Sequence, residues 1–206
     1  MHWTQITVAA VLVVYIGAFV AMMVIVRRST GTSPRGHARG HALAAMLNML
    51  AALLLLVTAV AYSLQARSVD WFGRIALLDH RLARGVGLVS FLLAGICLVW
   101  GELSLGRSFR MALPESVQPL VTSGIYRFTR NPLALSVDLL ALGVLLLAPS
   151  WLALTSLVLN VLAYESKIRI EEAYLRNAHG AAYMAYCQRT GRYWPRLHSG
   201  RETGTM

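Results

Sequence analysis

The stretch GIYRFTRNPLALSVDLLALG, residues 124–143, places polar and apolar residues side by side. Two arginines precede the pair Asn131-Pro132, and the apolar run that follows carries one acidic residue, Asp138. Asn131 suits the N-cap of a helix, and Pro132 suits the first helical position because the N–H that proline lacks would have no partner there. The stretch therefore predicts a helix that begins at Pro132, at one edge of an apolar segment.

The composition of the whole chain is typical of a membrane protein. Of its 206 residues, 57% are hydrophobic and only 14% are charged. A helix rises about 1.5 Å per residue, so about 20 apolar residues cross the hydrocarbon core of a bilayer. We predict an all-α, polytopic membrane protein with about five transmembrane helices and a cytoplasmic C-terminal helix. The predicted spans are residues 1–26, 42–66, 85–101, 133–148 and 151–164.

The fourth and fifth predicted spans are short and are joined by Ala148, Pro149 and Ser150. Short apolar helices can cross a thinned bilayer, or they can form a re-entrant pair that other helices enclose. Both arrangements make the two segments antiparallel neighbours, with the start of one beside the far end of the other.

The distribution of basic residues predicts the orientation of the chain. With the N-terminus outside, fifteen of the nineteen Lys and Arg residues lie on the cytoplasmic side and four lie in the outer loop 67–84. Cytoplasmic segments retain Lys and Arg, so an outer N-terminus and a cytoplasmic C-terminus are favoured. The net charge of +10 then reflects topology and attraction to anionic lipid, and no interleaved basic and aromatic pattern indicates nucleic acid. Arg127 and Arg130 can each be interpreted as headgroup anchors.

Several kinds of site are not indicated by the sequence. Cys97 lies in a predicted span and Cys187 in the tail, so we predict neither a disulfide between them nor a metal site. We find no internal repeat, P-loop or G-x-G-x-x-G motif. The first apolar run lacks a preceding basic segment and a following cleavage site, which predicts an uncleaved anchor.

A second polar stretch, YESKIRIEEAYLRNAHGAAYMAYCQRTGRYWPR at 164–196, continues the fifth apolar segment without Gly or Pro until Gly180. This pattern predicts one long helix that extends into the cytoplasm. On that helix the spacing predicts two i,i+4 ion pairs with the acid first, Glu165 with Arg169 and Glu172 with Arg176. As surface ion pairs they would stabilise the helix only slightly.

The antiparallel arrangement gives these charges a second interpretation. It brings the cytoplasmic end of the long helix beside Arg130 and Asn131, at the cytoplasmic end of the same hairpin. A polar pocket is therefore predicted at the membrane boundary, between the helical face that carries Glu165, Arg169 and Glu172 and the segment that carries Arg127, Arg130 and Asn131. Asp138 lies two helical turns beyond Arg130, so a local ion pair is possible, and a structural hydrogen bond to a neighbouring span is the alternative.

Taken together, the two stretches resemble the integral membrane methyltransferases of the isoprenylcysteine carboxyl methyltransferase and phospholipid N-methyltransferase family. The resemblance covers about residues 105–196. Prenylcysteine enzymes carry His at the position of Asn131, so the resemblance favours the phospholipid-like, bacterial branch and the bacterial inner membrane. Ala134, His179 and Asp138 depart from the family pattern. The matching residues are Gly124, Tyr126, Arg130, Asn131, Pro132, Arg169, Ile170, Glu171, Glu172, Leu175, Gly180, Tyr183, Tyr186, Arg192 and Pro195.

The resemblance implies that S-adenosylmethionine binds at the cytoplasmic face, leaving S-adenosylhomocysteine as product, and that a lipidic acceptor enters from the bilayer. It implies a single membrane domain, 1–206, in which residues 1–104 hold the first three spans, 105–196 the motif region and 197–206 a flexible tail. The implied cofactor-binding residues are Gly124, Tyr126, Arg130, Asn131, Pro132, Glu171, Glu172 and Tyr183.

Methyl transfer from a sulfonium is an in-line displacement that depends mainly on positioning and exclusion of water. Arginines can bind a carboxylate or orient an anionic acceptor, and carboxylates can accept hydrogen bonds from ribose hydroxyls. The candidate catalytic residues are Arg169, Glu172 and Asp138. An amine acceptor would need a base, for which Glu172 and Asp138 are candidates, whereas a carboxylate or thiolate acceptor would not.

Two other functions fit parts of the pattern. Sterol-type double-bond reductases share a similar C-terminal hairpin but bind NADPH and usually have more spans. In a small transporter or assembly factor, Asp138 would line a path across the membrane and the arginines would be anchors. Binding of S-adenosylhomocysteine, S-adenosylmethionine or NADPH distinguishes these classes.

Overall fold

The structure, a computed structural model, describes residues 3–30, 42–106 and 119–195. Several predicted segments lie outside the described residues. They are the tail 197–206, most of the loop 27–41, and Arg107 and Arg110 of the loop before the fourth predicted span. Within the described ranges the chain is helical and forms no β-strand. The helices are α1 (Trp3–Thr30), α2 (Ala42–Leu64), α3 (Ser68–Trp71), α4 (Arg81–Leu105), α5 (Pro132–Leu147) and α6 (Trp151–Arg189), with 3₁₀ turns at Ala76–Leu78 and Gly124–Arg127.

Three described helices are long and apolar enough to span a membrane. They are α1, α2 and α4, and they coincide with the first three predicted spans. The protein is an integral membrane protein of all-α architecture. Helix α5 is apolar but has 16 residues, about 24 Å at 1.5 Å per residue, so the full count of five spans stays a prediction.

Helices α5 and α6 form the predicted antiparallel hairpin. The Ser150 side chain caps α6 by accepting from the Ala153 N–H at 3.3 Å. The turn between the helices is held by the segment that follows α3, since the Trp151 N–H donates to the Gly73 carbonyl and the Ile75 N–H donates to the Pro149 carbonyl, both at 3.0 Å. The hairpin is therefore fixed at its turn as well as along its length.

The predicted long helix is present as α6, which continues from the apolar segment into the charged segment. It is interrupted at Gly180, where φ is +50° and ψ is −122°, a conformation that side chains rarely adopt. The interruption turns the last part of α6, which carries Tyr183 and Tyr186, into a separate direction.

Helix α5 lies between α4 and α6, and ten of its residues are buried. Glycines let α4 approach it closely, because a Cβ at Gly87 would collide with Leu147 and one at Gly143 would collide with the Phe91 ring. Helix α6 packs along α2 as well. The start of α5 is consequently held in a fixed position by helices on both sides.

Candidate functional site

Asn131 occupies the predicted N-cap position of α5, and Pro132 is the first helical residue as predicted. The Asn131 side chain, however, does not cap the helix. Its amide Nδ2 donates to the Arg192 carbonyl at 3.3 Å. The prediction of a side-chain cap was wrong because the chain beyond α6 returns to this point and takes the amide as a partner.

The segment after α6 is docked on the segment before α5. Thr129 and Gly191 form a parallel bridge, and the Arg130 N–H donates to the Gly191 carbonyl at 3.0 Å. The Thr129 hydroxyl donates to the Arg192 carbonyl, also at 3.0 Å. The Arg130 guanidinium adds a 2.7 Å bond from Nη1 to the Thr190 carbonyl. These bonds close the end of the hairpin opposite its turn and fix the position of Arg192.

Four charged side chains form one cluster there: Arg130, Glu165, Glu172 and Arg192, here called the guanidinium–carboxylate cluster. Arg130 donates to Glu172 Oε1 from Nη2 at 2.9 Å and from Nε at 3.3 Å. Arg192 donates from Nη2 to Glu172 Oε2 at 2.6 Å and from Nη1 to Glu165 Oε1 at 2.7 Å. The Tyr193 hydroxyl donates to Glu165 Oε2 at 2.9 Å. Arg130 and Glu172 are thus joined in one hydrogen-bond network, and a ligand pocket at this edge stays a prediction.

Burial alone would raise the pKa of the Glu172 carboxyl, but hydrogen bonds from Arg192 and Arg130 outweigh burial and hold the pKa below its ordinary value of 4.5. The same contact with Glu172 raises the pKa of Arg192. Glu172 is therefore ionised in the network and is a weak base. Its two oxygens are both engaged, so its main effect is to orient two guanidinium groups.

Three of the predicted cofactor-binding residues, Tyr126, Pro132 and Tyr183, are buried, and a fourth, Gly124, is half-buried. The Tyr183 ring contacts the tilted ring of Tyr186 at 6.1 Å between centroids, and the Tyr186 hydroxyl donates to the Tyr126 carbonyl at 2.7 Å. Gly124 has φ of +60°, and a Cβ there would collide with the Ser104 hydroxyl of α4. These residues therefore pack within the protein.

Two other predicted residues, Glu171 and Arg169, lie at the protein surface. Glu171 is about one-third exposed and has Lys167 as an ion-pair partner at 3.5 Å. Arg169 forms the predicted pair with Glu165 at 3.3 Å, but its side chain is 71% exposed and reaches no other member of the cluster. The predicted pair between Glu172 and Arg176 was wrong, because Arg130 and Arg192 occupy the Glu172 carboxylate.

Asp138 faces α6. Its Oδ1 accepts from Asn160 Nδ2 at 2.8 Å, and Asn160 is 4% exposed. The predicted local pair of Asp138 with Arg130 does not form, since the Arg130 guanidinium turns to Glu172 and the tail. The structure thus matches the alternative prediction, a hydrogen bond between neighbouring helices.

Sequence reasoning named Arg192 as a motif residue but gave it no role in the site, and it placed Glu165 both in a surface pair and on the face of the predicted polar pocket. The helical spacing could not find Arg192, because α6 ends at Arg189 and Arg192 lies in the segment that folds back. The one available signal was the polar character of the sequence Arg192-Tyr193 just beyond a helix of charged residues.

Residues 82–182 match the sequence model of the family described as phospholipid methyltransferase. The match begins in α4, covers α5 and ends in the last part of α6, so it includes Arg130, Glu165 and Glu172. No curated protein matches the chain.

Proposed function

We propose that this integral membrane protein transfers the methyl group of S-adenosylmethionine to a lipidic or hydrophobic acceptor at the cytoplasmic face of the membrane, because residues 82–182 match the sequence model of the phospholipid methyltransferase family. The observation that carries the proposal is the contact of Arg130 with Glu172. It joins the two polar stretches that resemble the family motifs into one cluster at the end of an apolar hairpin.

The residues present fit the chemical groups of this cofactor. A methionine carboxylate needs guanidinium donors, and Arg192 offers a guanidinium that is one-third exposed beside the more enclosed Arg130. Hydroxyl and ammonium groups need acceptors, and Glu171 offers a carboxylate that is about one-third exposed. Asn131 adds a partly buried amide. Both charge signs are therefore available within one polar edge.

The cofactor supplies a methyl group on a sulfonium, which leaves by in-line displacement and needs little acid–base help. The chain's own residues position the reactants and exclude water. Glu172 orients Arg130 and Arg192, and these arginines hold an anionic group in a fixed direction. Tyr126 and Tyr183 are buried aromatic side chains that would exclude water from the interior side of the site.

The bilayer supplies the acceptor in this proposal. The outer surface of α4 near the site is apolar and carries Trp100, which packs edge-on against Phe128 at 6.1 Å between ring centroids. Arg127 lies over the same Phe128 ring at 4.7 Å. An aromatic and basic border of this kind is typical of residues at the level of lipid headgroups, where a membrane acceptor presents its polar end.

Calorimetry on the detergent-solubilised protein tests the proposal. We expect S-adenosylmethionine and S-adenosylhomocysteine to bind and NADPH not to bind. Replacing Arg192 with Ala should weaken S-adenosylhomocysteine binding at least ten-fold, whereas Arg176→Ala, which removes an exposed arginine of α6, should not change it.

Binding of NADPH in place of S-adenosylhomocysteine would contradict the proposal and favour the reductase class. Absence of binding for all three compounds, in protein that unfolds cooperatively, would favour the transporter or assembly class. Transfer of label from methyl-labelled S-adenosylmethionine to the extracted membrane lipids would then identify the acceptor.

A further inference from the structure

Helix α4 has one face against the bundle and one face away from it. The inner face carries Gly87 and Gly101, at which α5 approaches closely. The outer face carries an open groove of about 530 Å³, a volume within the range of about 300 to 1,000 Å³ that is usual for small-ligand sites. The groove is lined by glycine, aliphatic and aromatic residues of α4 between Phe91 and Leu103.

The shape of the groove depends on Gly95. A Cβ at Gly95 would meet no atom within 4 Å, so the glycine leaves a gap between the exposed side chains of Leu92 and Val99. From Phe91 to Leu103 the helix rises about 18 Å, at about 1.5 Å per residue. The hydrocarbon core of a bilayer is about 30 Å thick, so this length is close to the depth of one leaflet. An apolar groove of this length fits one hydrocarbon chain.

One end of the groove lies beside an exposed cation. Trp100, in the wall of the groove, packs edge-on against Phe128, and the Arg127 guanidinium lies 4.7 Å from the centroid of the same Phe128 ring. Among the described residues Arg127 has no carboxylate partner. A guanidinium at the end of an apolar groove complements an anionic group at the end of a hydrocarbon chain.

The same end of the groove is joined to the segment before α5. The Ile125 N–H donates to the Ser104 hydroxyl of α4 at 3.3 Å, and a Cβ at Gly124 would lie 3.4 Å from Trp100 Nε1. This segment continues to Arg130 of the guanidinium–carboxylate cluster. A chain that lies in the groove therefore has its polar end beside the segment that carries the proposed site.

We propose that the groove holds one hydrocarbon chain of the methyl acceptor, and that Arg127 binds an anionic group, a phosphate or a carboxylate, next to that chain. This inference rests on the proposed function and adds to it the position of the chain. Gly95 is then the residue that admits the chain. Arg127 selects membrane amphiphiles that carry a negative charge at the headgroup level, whichever atom of the acceptor is methylated.

A second copy of the protein fits the groove less well. Close packing of membrane helices depends on small residues four positions apart, but the residues four positions from Gly95 are Phe91 and Val99. Two copies with the same orientation in the membrane, facing each other at this groove, would also bring two Arg127 side chains to the same level, where like charges repel. The groove is thus better matched to a chain with an anionic end than to another helix.

Photolabelling tests the position of the chain. The probe is octadecyl phosphate with a diazirine at mid-chain, added to the protein in nonionic detergent, and we expect light to attach it to α4 within residues 91–103. Gly95→Leu fills the groove and should lower this labelling about ten-fold. Gly85→Leu is the matched control and should behave as wild type, because Gly85 is equally open and lies on α4 outside the groove. Equal labelling of α4 in wild type and Gly95→Leu would overturn the inference.

The role of Arg127 is tested with octadecanol that carries the same diazirine. Arg127→Ala should lower labelling by the phosphate about five-fold, the scale of one solvent-screened ion contact, and should leave labelling by the alcohol unchanged. Arg176→Ala, which removes an exposed arginine of α6, should change neither. An equal effect of Arg127→Ala on both compounds would overturn the assignment of the anionic group to Arg127.

A third measurement links the groove to methyl transfer. With methyl-labelled S-adenosylmethionine, Gly95→Leu should transfer label to extracted membrane lipids about ten-fold more slowly than wild type and Gly85→Leu, with unchanged melting temperature and affinity for S-adenosylhomocysteine. An unchanged rate would overturn the inference, and so would conversion of a dimer into a monomer by Gly95→Leu, which would make the groove an interface between copies. If the wild type transfers no label, the proposed function fails, but photolabelling still decides whether the groove holds an anionic amphiphile.

Discussion

Arg130 and Glu172 are 42 positions apart in the chain, yet Arg130 Nη2 donates to Glu172 Oε1 at 2.9 Å with both side chains 11% exposed. The same guanidinium donates through Nη1 to the carbonyls of Thr190 and Cys187. One side chain therefore joins the start of α5, the charged part of α6 and the segment beyond it. Each of the following predictions tests a part of this arrangement.

Replacing Arg130 with Lys should weaken the site although it keeps the charge. A lysine has no planar fork, so it cannot bind Glu172 and the Thr190 carbonyl together. We expect Arg130→Ala to lower the free energy of unfolding by about 3 kcal/mol, the lower end for a broken buried pair, since Arg192 remains on Glu172. Arg130→Lys should lie between Ala and wild type, both in melting temperature and in affinity for S-adenosylhomocysteine. Equal behaviour of Lys and wild type would show that only the charge matters.

Arg192 should act as the connection between Glu165 and Glu172. Because its side chain is 34% exposed, each contact is screened by solvent, and we expect a coupling energy of about 0.5 to 1 kcal/mol between Arg192 and Glu165 in a double-mutant cycle. Arg192→Ala should also increase amide exchange at Gly191 and Arg192, which dock on Thr129. A coupling near zero together with unchanged exchange would assign Arg192 to the solvent-exposed surface.

Stability should fall in acid through Glu172. Its pKa is held below the ordinary value of 4.5 in the folded protein, so the unfolded chain takes up a proton at higher pH than the folded protein does. The stabilisation is present above pH 4.5 and is lost as the pH falls through the lower, folded-state pKa. Chemical unfolding between pH 7 and pH 3 should show this loss in the wild type. Glu172→Gln should flatten the acid limb, and an unchanged slope would assign the loss to other carboxylates.

Asp138→Asn should leave the fold, cofactor binding and turnover intact. An asparagine Oδ1 can still accept from Asn160, so the hydrogen bond between α5 and α6 is kept. Asp138→Leu removes it and leaves the Asn160 amide buried without a partner, which should cost about 1 to 3 kcal/mol of stability. A large loss of turnover in Asp138→Asn, with normal melting temperature and S-adenosylhomocysteine binding, would restore the carboxylate as a base or orienting group for the acceptor.

Topology can be measured through Cys187, which is partly exposed beyond the charged part of α6. Fifteen of the nineteen basic residues lie on the predicted cytoplasmic side. In the outer loop, Arg74 and Arg84 are paired with Asp70 and Asp79. A thiol reagent that does not cross membranes should label Cys187 only after the cells are permeabilised. Labelling in intact cells would reverse the orientation.

The sequence by itself determined the helices and their order. Apolar length located α1, α2 and α4, Pro132 marked the start of α5, and Gly180 marked the interruption of α6, because these features depend on local composition and backbone restriction. Helical spacing also paired Glu165 with Arg169 correctly, but the tertiary structure decided which charges from distant positions meet. Local spacing paired Glu172 with Arg176, but a buried carboxylate takes the donors that enclose it, and the fold brings Arg130 and Arg192 there from distant positions. For the same reason Asn131 binds Arg192 instead of capping its helix.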